Sequence, residues 1–350
     1  MNLIKIDKKK IAVLFGGRSK EHEISILSGL SIIKNLTPDK YIVYPIYINK
    51  EGKWFFIKDI EDSNNLFANS KCLIKSIKIG DNTFEVTGGE SLKPDVIFPA
   101  LHGPYGEDGT MQGMLEILGI PYAGCKVLAS AIAMDKISSK TIFKESNLTV
   151  VPFIGLNINQ WKKDKKSINN FINEKLNLPV FVKPSSLGSS IGITKVNDIN
   201  DLDQAIETAA IYDKRIIIEK GINAREIECS VMGNEEPYSS LPGEIIPARE
   251  YYDYEAKYID ENTRLSIPAP LTEKQISEVK KLAVAAYRAI NCTGFARVDF
   301  LLDKLEEKFY ISEINTIPGF TQYSMFHLLW SLSGITFPQV LDRIIEYALE

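Results

Sequence analysis

Apolar residues along this chain change their period several times, and the changes mark its elements. Residues 11–15 are a continuous apolar run that stops at Gly16-Gly17, as a strand buried on both faces does. Ile26, Leu30 and Ile33 then recur at helical spacing. Residues 41–49 and 96–100 read as further strands, and a glycine-bearing loop at 102–110 leads into a helix over 111–118. Strands and helices in that order predict an open α/β sheet with helices on both faces. Between Gly52 and Lys93 the pattern is polar and broken, and Gly80-Asp81-Asn82 suggests a hairpin excursion.

A second segment predicts a helix beginning near Ser130, helices around 161–174 and 201–210, and strands at 180–183 and 215–219. The turn Lys220-Gly221-Ile222-Asn223 sets a boundary, and a third segment starts at Ala224. Thr272 and Gln275 there have capping-box spacing, ahead of a helix to Ile290. Ile276, Val279, Ala283, Ala286 and Ile290 share one face of that helix. Strands at 294–302 and 309–315 and a final helix at 337–349 complete the chain. The expected domains are 1–123, 124–222 and 223–350.

The late strands carry the sharpest chemistry. Side chains alternate across a strand, so Arg297 and Asp299 share a face, and so do Glu313 and Asn315. Asp299, Glu313 and Asn315 offer three hard oxygen ligands beside a cation, a set suited to Mg²⁺ held against substrate phosphates. Upstream, Lys183 ends an apolar strand and opens the small-residue loop 184–192. Backbone N–H groups in such a loop can close around phosphate oxygens. It is not a Walker A loop, because the lysine precedes the glycines. Glu219 and Glu226 lie just downstream, where either could meet an adenine or ribose edge.

Composition narrows the partners. The chain has 350 residues, a 45% hydrophobic share and a net charge of −4, ordinary for a globular protein and no case for binding nucleic acid. The mixed run Lys162-Lys163-Asp164-Lys165-Lys166 fits a solvated face. Cys72, Cys125, Cys229 and Cys292 are widely spaced with no CxxC pair, which argues against zinc and disulfides. The N-terminus lacks a signal-peptide apolar region, and no apolar run approaches the ~20 residues needed to span a bilayer. A cytoplasmic protein is expected, with no membrane partner.

Seven motifs stand in one order. They are Gly16-Gly17 with Ser19, Glu21, Glu23 and Ser25; His102-Gly103 with Gly106-Glu107-Asp108-Gly109-Thr110; Met134-Asp135-Lys136; the Lys183–Gly192 loop; Tyr252 to Tyr258; Arg297 with Asp299; and Glu313, Asn315-Thr316 with Pro318-Gly319-Phe320-Thr321. In that order the chain resembles the D-alanine–D-alanine ligases, from about Lys10 to its C-terminus. The resemblance implies a three-domain ATP-grasp architecture: α/β overall, α+β within the ATP-grasp portion, with an N-terminal open α/β sheet. It implies ATP and Mg²⁺ (or Mn²⁺) as cofactors, D-alanine as substrate and a homodimer.

Roles follow from the resemblance. Glu21 is expected to bind the first substrate's ammonium group, and His102 to stand by its carboxylate. Lys136 and Lys183 match phosphate-binding lysines, and Ser186, Gly188, Glu219 and Glu226 complete the expected ATP site. Ser189 with Glu21 and Tyr258 matches a triad that positions substrate and relays the amine proton, and Ser190 lies near the substrates. Tyr252 and Lys257 belong to a covering loop that protects an acyl phosphate from water. Arg297 and the Gly319 backbone N–H match an oxyanion hole. Ser324 matches the serine holding the second substrate's carboxylate. Met325 beside it either shapes that pocket or fills the core. Asp299, Glu313 and Asn315 match metal ligands.

Lys257-Tyr258 resembles the dipeptide-forming ligases rather than those making D-alanyl-D-lactate. A D-serine-accepting relative is the alternative, because one hydroxyl changes pocket preference modestly. A catalytically silent nucleotide sensor needs no oxyanion hole beside metal ligands. A dinucleotide oxidoreductase is rejected, since Gly16-Gly17 lacks GxGxxG spacing. The long 52–93 stretch departs from the family's shorter members and bears on packing and the dimer surface, not on the chemistry.

Overall fold

Parallel pairing of Lys9–Gly16 with Tyr41–Ile48 on one side and Val96–Pro99 on the other sets the N-terminal sheet. The computed structural model describes residues 8–58, 60, 72–188, 191–246 and 264–350. Ser189, Ser190, Tyr252, Lys257 and Tyr258 lie outside the described residues. The helix His22–Asn35 connects the first two parallel strands. The 52–93 excursion is a set of short antiparallel strands that extend the same sheet to seven. Its hairpin pairs Cys72–Lys78 with Thr83–Val86, and Gly80 and Asn82 take the positive φ that the turn requires.

Gly16 shows why the first strand must stop where it does. Its φ is +92°, and a Cβ there would lie 2.2 Å from the Ile48 carbonyl oxygen. Only glycine fits, and the chain turns there toward Glu21.

The middle sheet has four antiparallel strands, in the order Thr194–Val196, Val180–Pro184, Arg215–Lys220, Phe153–Asn157. Helices Lys165–Leu176 and Leu202–Ala210 cover it around Trp161, Ile172, Val182, Ile206 and Ile216. The helix expected near Ser130 is two helices, Val127–Met134 and Lys136–Glu145. Asp135 breaks them with extended backbone and caps the second by accepting from Ser138 N at 2.8 Å. Both pack on the C-terminal sheet, with Ala129, Ala133 and Phe143 in one core with Ile311 and Ile314.

That C-terminal sheet runs Arg264–Ser266, Gly243–Ile246, Ala224–Met232, Phe295–Asp303, Phe309–Asn315, with Tyr238–Ser239 beside Ala224–Met232. Helix Glu273–Ala289 buries Val279, Ala283 and Ala286 against it. Its capping box between Thr272 and Gln275 is present in both directions. Thr272→Ala should therefore cost about 0.5–2 kcal/mol, read as a lower urea midpoint with unchanged slope.

One helix, Met325–Leu332, has no counterpart in the sequence expectations. Together with Phe337–Leu349 it returns to the N-terminal sheet. Phe326, Trp330, Leu341 and Ile345 share a core with Val13, Phe15 and Phe98. Phe98 packs on Phe295 and Phe320, so the first sheet touches the strand and the turn that carry the candidate chemistry. All four cysteines are free, and three are buried. Among the described residues no helix is long and apolar enough to cross a membrane.

Candidate active site

A cleft of about 1630 Å³ lies between the middle and C-terminal sheets and reaches the N-terminal loops. Of the described site residues expected from the sequence, all but Ser186 line it. Ser186 donates its hydroxyl to Asp135 at 3.1 Å and its N–H to Asp213 at 3.0 Å, so both its donors are used inside the protein.

The C-terminal wall is set by strand register. Asp299 faces Glu313, and Arg297 faces Asn315, across two antiparallel strands. Two-residue spacing then puts all four side chains on the cleft face. Arg297 grips Asp299 through two bonds, both 2.7 Å, and its Nε stands 3.0 Å from Glu228 Oε2. Burial disfavours the guanidinium charge, but Asp299 and Glu228 outweigh that and hold the Arg297 pKa well above its usual value. Asn315 turns its amide nitrogen to Asp299 Oδ2 at 2.8 Å, so this amide meets Asp299 as a donor. Two carboxylates and an amide thus lie on one patch of the cleft face. Among the described residues no group of three or more acidic, His or Cys side chains forms a self-sufficient metal cage. Two carboxylates with substrate phosphates are what Mg²⁺ accepts.

The opposite wall supplies cations. Lys136 opens a helix, donates to the Leu187 carbonyl at 2.8 Å and stands 3.1 Å from Glu313 Oε2. It thereby ties the serine–glycine loop to the carboxylate wall. Lys183 reaches Glu219 at 2.5 Å, while Lys140, 1% exposed, holds the other Glu219 oxygen at 2.6 Å. Burial opposes the Glu219 charge, but the two ammonium groups draw its pKa down to about 2. For Lys140 burial wins, and its pKa is lowered; for Lys183 the Glu219 carboxylate overcomes burial and the pKa is raised. Glu226 lines the cleft from the strand Ala224–Met232.

The N-terminal rim is a pair of loops. Glu21, 8% exposed, packs its carboxylate against Gly103, where a Cβ would lie 2.4 Å from Oε2. Gly103 also needs φ +73°, so glycine is doubly required. Ser19 Oγ donates to the His102 carbonyl at 2.6 Å and accepts from Glu21 N at 3.1 Å, which couples the two loops. His102 is buried; its Nδ1 meets the Ile317 carbonyl at 3.1 Å and Glu107 at 3.5 Å. Burial disfavours its charge, yet hydrogen bonding and charge from Glu107 prevail and raise its pKa.

The turn 317–320 closes the site. A Cβ on Gly319 would lie 2.7 Å from Ser324 Oγ, so glycine keeps this turn open beside that hydroxyl. Ser324 also shares a 2.9 Å hydrogen bond with Thr321. Met325 lines the cleft and also packs with Ile245 and Leu329 at 3% exposure.

Glu228, Lys140 and Glu107 were not among the expected residues. Glu228 had a visible signal, standing two residues after Glu226 and so on the same face of the strand Ala224–Met232. Lys140 is four residues after Lys136 on one helix, a spacing that puts both on one side. Glu107 lay inside a motif without a role.

Two family models match the chain: D-ala D-ala ligase N-terminus over residues 10–125, and D-ala D-ala ligase C-terminus over residues 142–346. A D-alanine–D-alanine ligase of Thermoanaerobacter sp. is 48% identical, the match covering 99% of this chain and 98% of that one. Among solved structures, the VanG D-Ala:D-Ser ligase of Enterococcus faecalis superposes with a TM-score of 0.88 at 33% identity, covering 98% of this chain and 100% of that chain. The D-alanine–D-alanine ligase of Coxiella burnetii gives 0.86 at 34% identity, over 98% and 94% of the two chains.

Proposed function

Since the chain belongs to the D-alanine–D-alanine ligase family, we propose that it joins two D-alanines at the expense of ATP to make D-alanyl-D-alanine for cell-wall peptidoglycan. The observation that carries this is the cleft itself, where Arg297, Asp299, Glu313 and Asn315 face Lys136 and Lys183 with the Gly319 turn at the rim.

A carboxylate oxygen of the first D-alanine attacks the γ-phosphorus of ATP, and ADP leaves. The amine of the second D-alanine attacks the resulting acyl phosphate carbon, loses a proton, and expels inorganic phosphate. Lys136 and Lys183 offset charge on the moving phosphoryl group, the main demand of such a transfer. Gly188 in the serine–glycine loop, with Glu219 and Glu226, completes the ATP site, while Ser186, expected there, supports the loop from behind through Asp135 and Asp213. Glu21 pairs with the first ammonium group, since a desolvated ammonium needs an opposite charge, and His102 borders its carboxylate. Arg297 and the Gly319 N–H receive the oxyanion. Ser324 holds the second carboxylate, with Met325 shaping that pocket. Ser189, Ser190, Tyr252, Lys257 and Tyr258 keep the roles that resemblance gives them. Asp299, Glu313 and Asn315 fit a divalent cation, and Mg²⁺ (or Mn²⁺) bound there supplies neutralisation of phosphate charge.

This reading keeps the division at 1–123, 124–222 and 223–350, and takes the protein as a cytoplasmic homodimer. Incubation with ATP, Mg²⁺ and D-alanine should release ADP in step with D-alanine. With D-alanine, D-serine and D-lactate offered together, mass spectrometry should find mainly D-alanyl-D-alanine. No D-alanine-dependent ADP would remove the ligase reading; a mixed dipeptide or depsipeptide as the main product would move it to the D-serine or D-lactate branch.

A further inference from the structure

The turn 317–320 carries the backbone N–H proposed for the oxyanion, yet nothing in the chemistry so far explains what aims it. Two bonds clasp that turn, and both lead back to the N-terminal part of the chain. At its start the Ile317 carbonyl accepts from His102 Nδ1 at 3.1 Å. At its end the Phe320 N–H donates to Ser28 Oγ at 3.2 Å. Ser28 Oγ and His102 Nε2 are themselves 2.9 Å apart, which closes the loop of contacts. Ser28 is fully buried in the helix His22–Asn35, whose N-terminal flank is Glu21.

We propose that Ser28 is a positioning residue: with His102 it clasps both ends of the 317–320 turn and so fixes the Gly319 N–H relative to Glu21 at the N-terminal end of the same helix. The chemistry of the clasp is complete. With a neutral imidazole, Nδ1–H donates to Ile317, Ser28 O–H donates to Nε2, and Ser28 Oγ accepts from Phe320. With a protonated ring both nitrogens donate, and Ser28 Oγ accepts twice. The neutral ring satisfies every polar atom of the clasp, as burial demands, whereas the charged ring leaves the Ser28 hydroxyl proton without an acceptor among these contacts. The helix cannot drift to compensate, because a Cβ on the next residue, Gly29, would lie 2.4 Å from the Phe15 Cβ. One rigid element thereby sets the distance between the ammonium anchor and the oxyanion donor. Such a distance matters, because an ångström of misplacement costs about a hundredfold in comparable sites.

The inference rests on the oxyanion role proposed for Gly319. Its test uses Ser28→Ala and Ser28→Cys in the whole protein. Cysteine restores the side-chain volume but hydrogen-bonds weakly, so a packing role spares it and a clasp role does not. Both variants should lose roughly tenfold or more in kcat, with KM for ATP held within about twofold. A phosphinate mimic of the tetrahedral adduct should weaken by the same factor as kcat, while ATP affinity stays. Wild-type kcat in Ser28→Cys would overturn the clasp, and so would parallel loss of ATP and phosphinate affinity. Should Ser28→Ala fail to fold, the cysteine variant decides alone. An inactive wild-type protein would instead count against the ligase reading, so the two failures are separate.

Discussion

Arg297→Ala should lower kcat by about 10²–10³-fold, the loss seen when one preorganised oxyanion donor is removed, and it should leave ATP binding nearly intact. The structure adds a second consequence that the sequence did not carry. Arg297 neutralises two carboxylates, Asp299 through a fork of two 2.7 Å bonds and Glu228 at 3.0 Å. Glu228 is 5% exposed. Truncating the arginine takes its counter-charge from that buried carboxylate beside Asp299, and removing one partner of a buried pair typically costs ~3–5 kcal/mol. The variant should therefore melt earlier as well as turn over slowly.

The two effects can be pulled apart. Glu228→Gln in the Arg297→Ala background removes one of the two carboxylate charges that the arginine offset and should recover much of the thermal stability. It supplies no donor to the oxyanion, so turnover should stay low. If kcat returns together with the melting temperature, Arg297 serves the fold and not the reaction. Arg297→Lys offers a further check. It keeps the charge but loses the planar fork that meets Asp299, so stability should recover more than turnover does.

The Arg297–Asp299 fork was half legible in the sequence, and the reason is physical. Two-residue spacing on a strand is a local rule, and it put Arg297 with Asp299 and Glu313 with Asn315 on common faces. Local rules also served the helix Glu273–Ala289, whose capping box and apolar face both appear as expected. What escaped depends on distance along the chain. Lysine is a surface residue by default, and nothing near Lys140 announces that Glu219 waits to pair with it inside. His102 finds its carbonyl partner 215 residues away. The helix Met325–Leu332 is only eight residues long and buries Met325, Phe326, His327, Leu329 and Trp330, so its mostly apolar sequence offers little polar face to mark it as a helix. The split of the 127–145 region at Asp135 follows from one capping contact, and its packing on the C-terminal sheet follows from a core assembled later in the chain.

That hidden lysine pair gives the second large effect. Glu219→Gln should destabilise the protein by ~3–5 kcal/mol, because it leaves the buried Lys140 and the half-buried Lys183 without the carboxylate they share. The pH dependence separates this from simple loss of packing. The Glu219 pKa is depressed from 4.5 to about 2, so its contribution is fully present above 4.5 and is lost as pH falls toward 2. The gap in stability between wild type and Glu219→Gln should therefore shrink over that acid window. At alkaline pH the variant should regain stability for a different reason. Burial already lowers the Lys140 pKa, so the folded state sheds that proton before the unfolded state does, and stability rises with pH between the two values. Lys140→Met added to Glu219→Gln removes one stranded cation at nearly constant volume. It should restore much of the lost stability near neutrality and abolish the alkaline recovery, as urea unfolding across pH would report. A double variant as unstable as Glu219→Gln alone, with its alkaline recovery intact, would mean that the penalty lies at Lys183 and not in the buried Lys140–Glu219 pair.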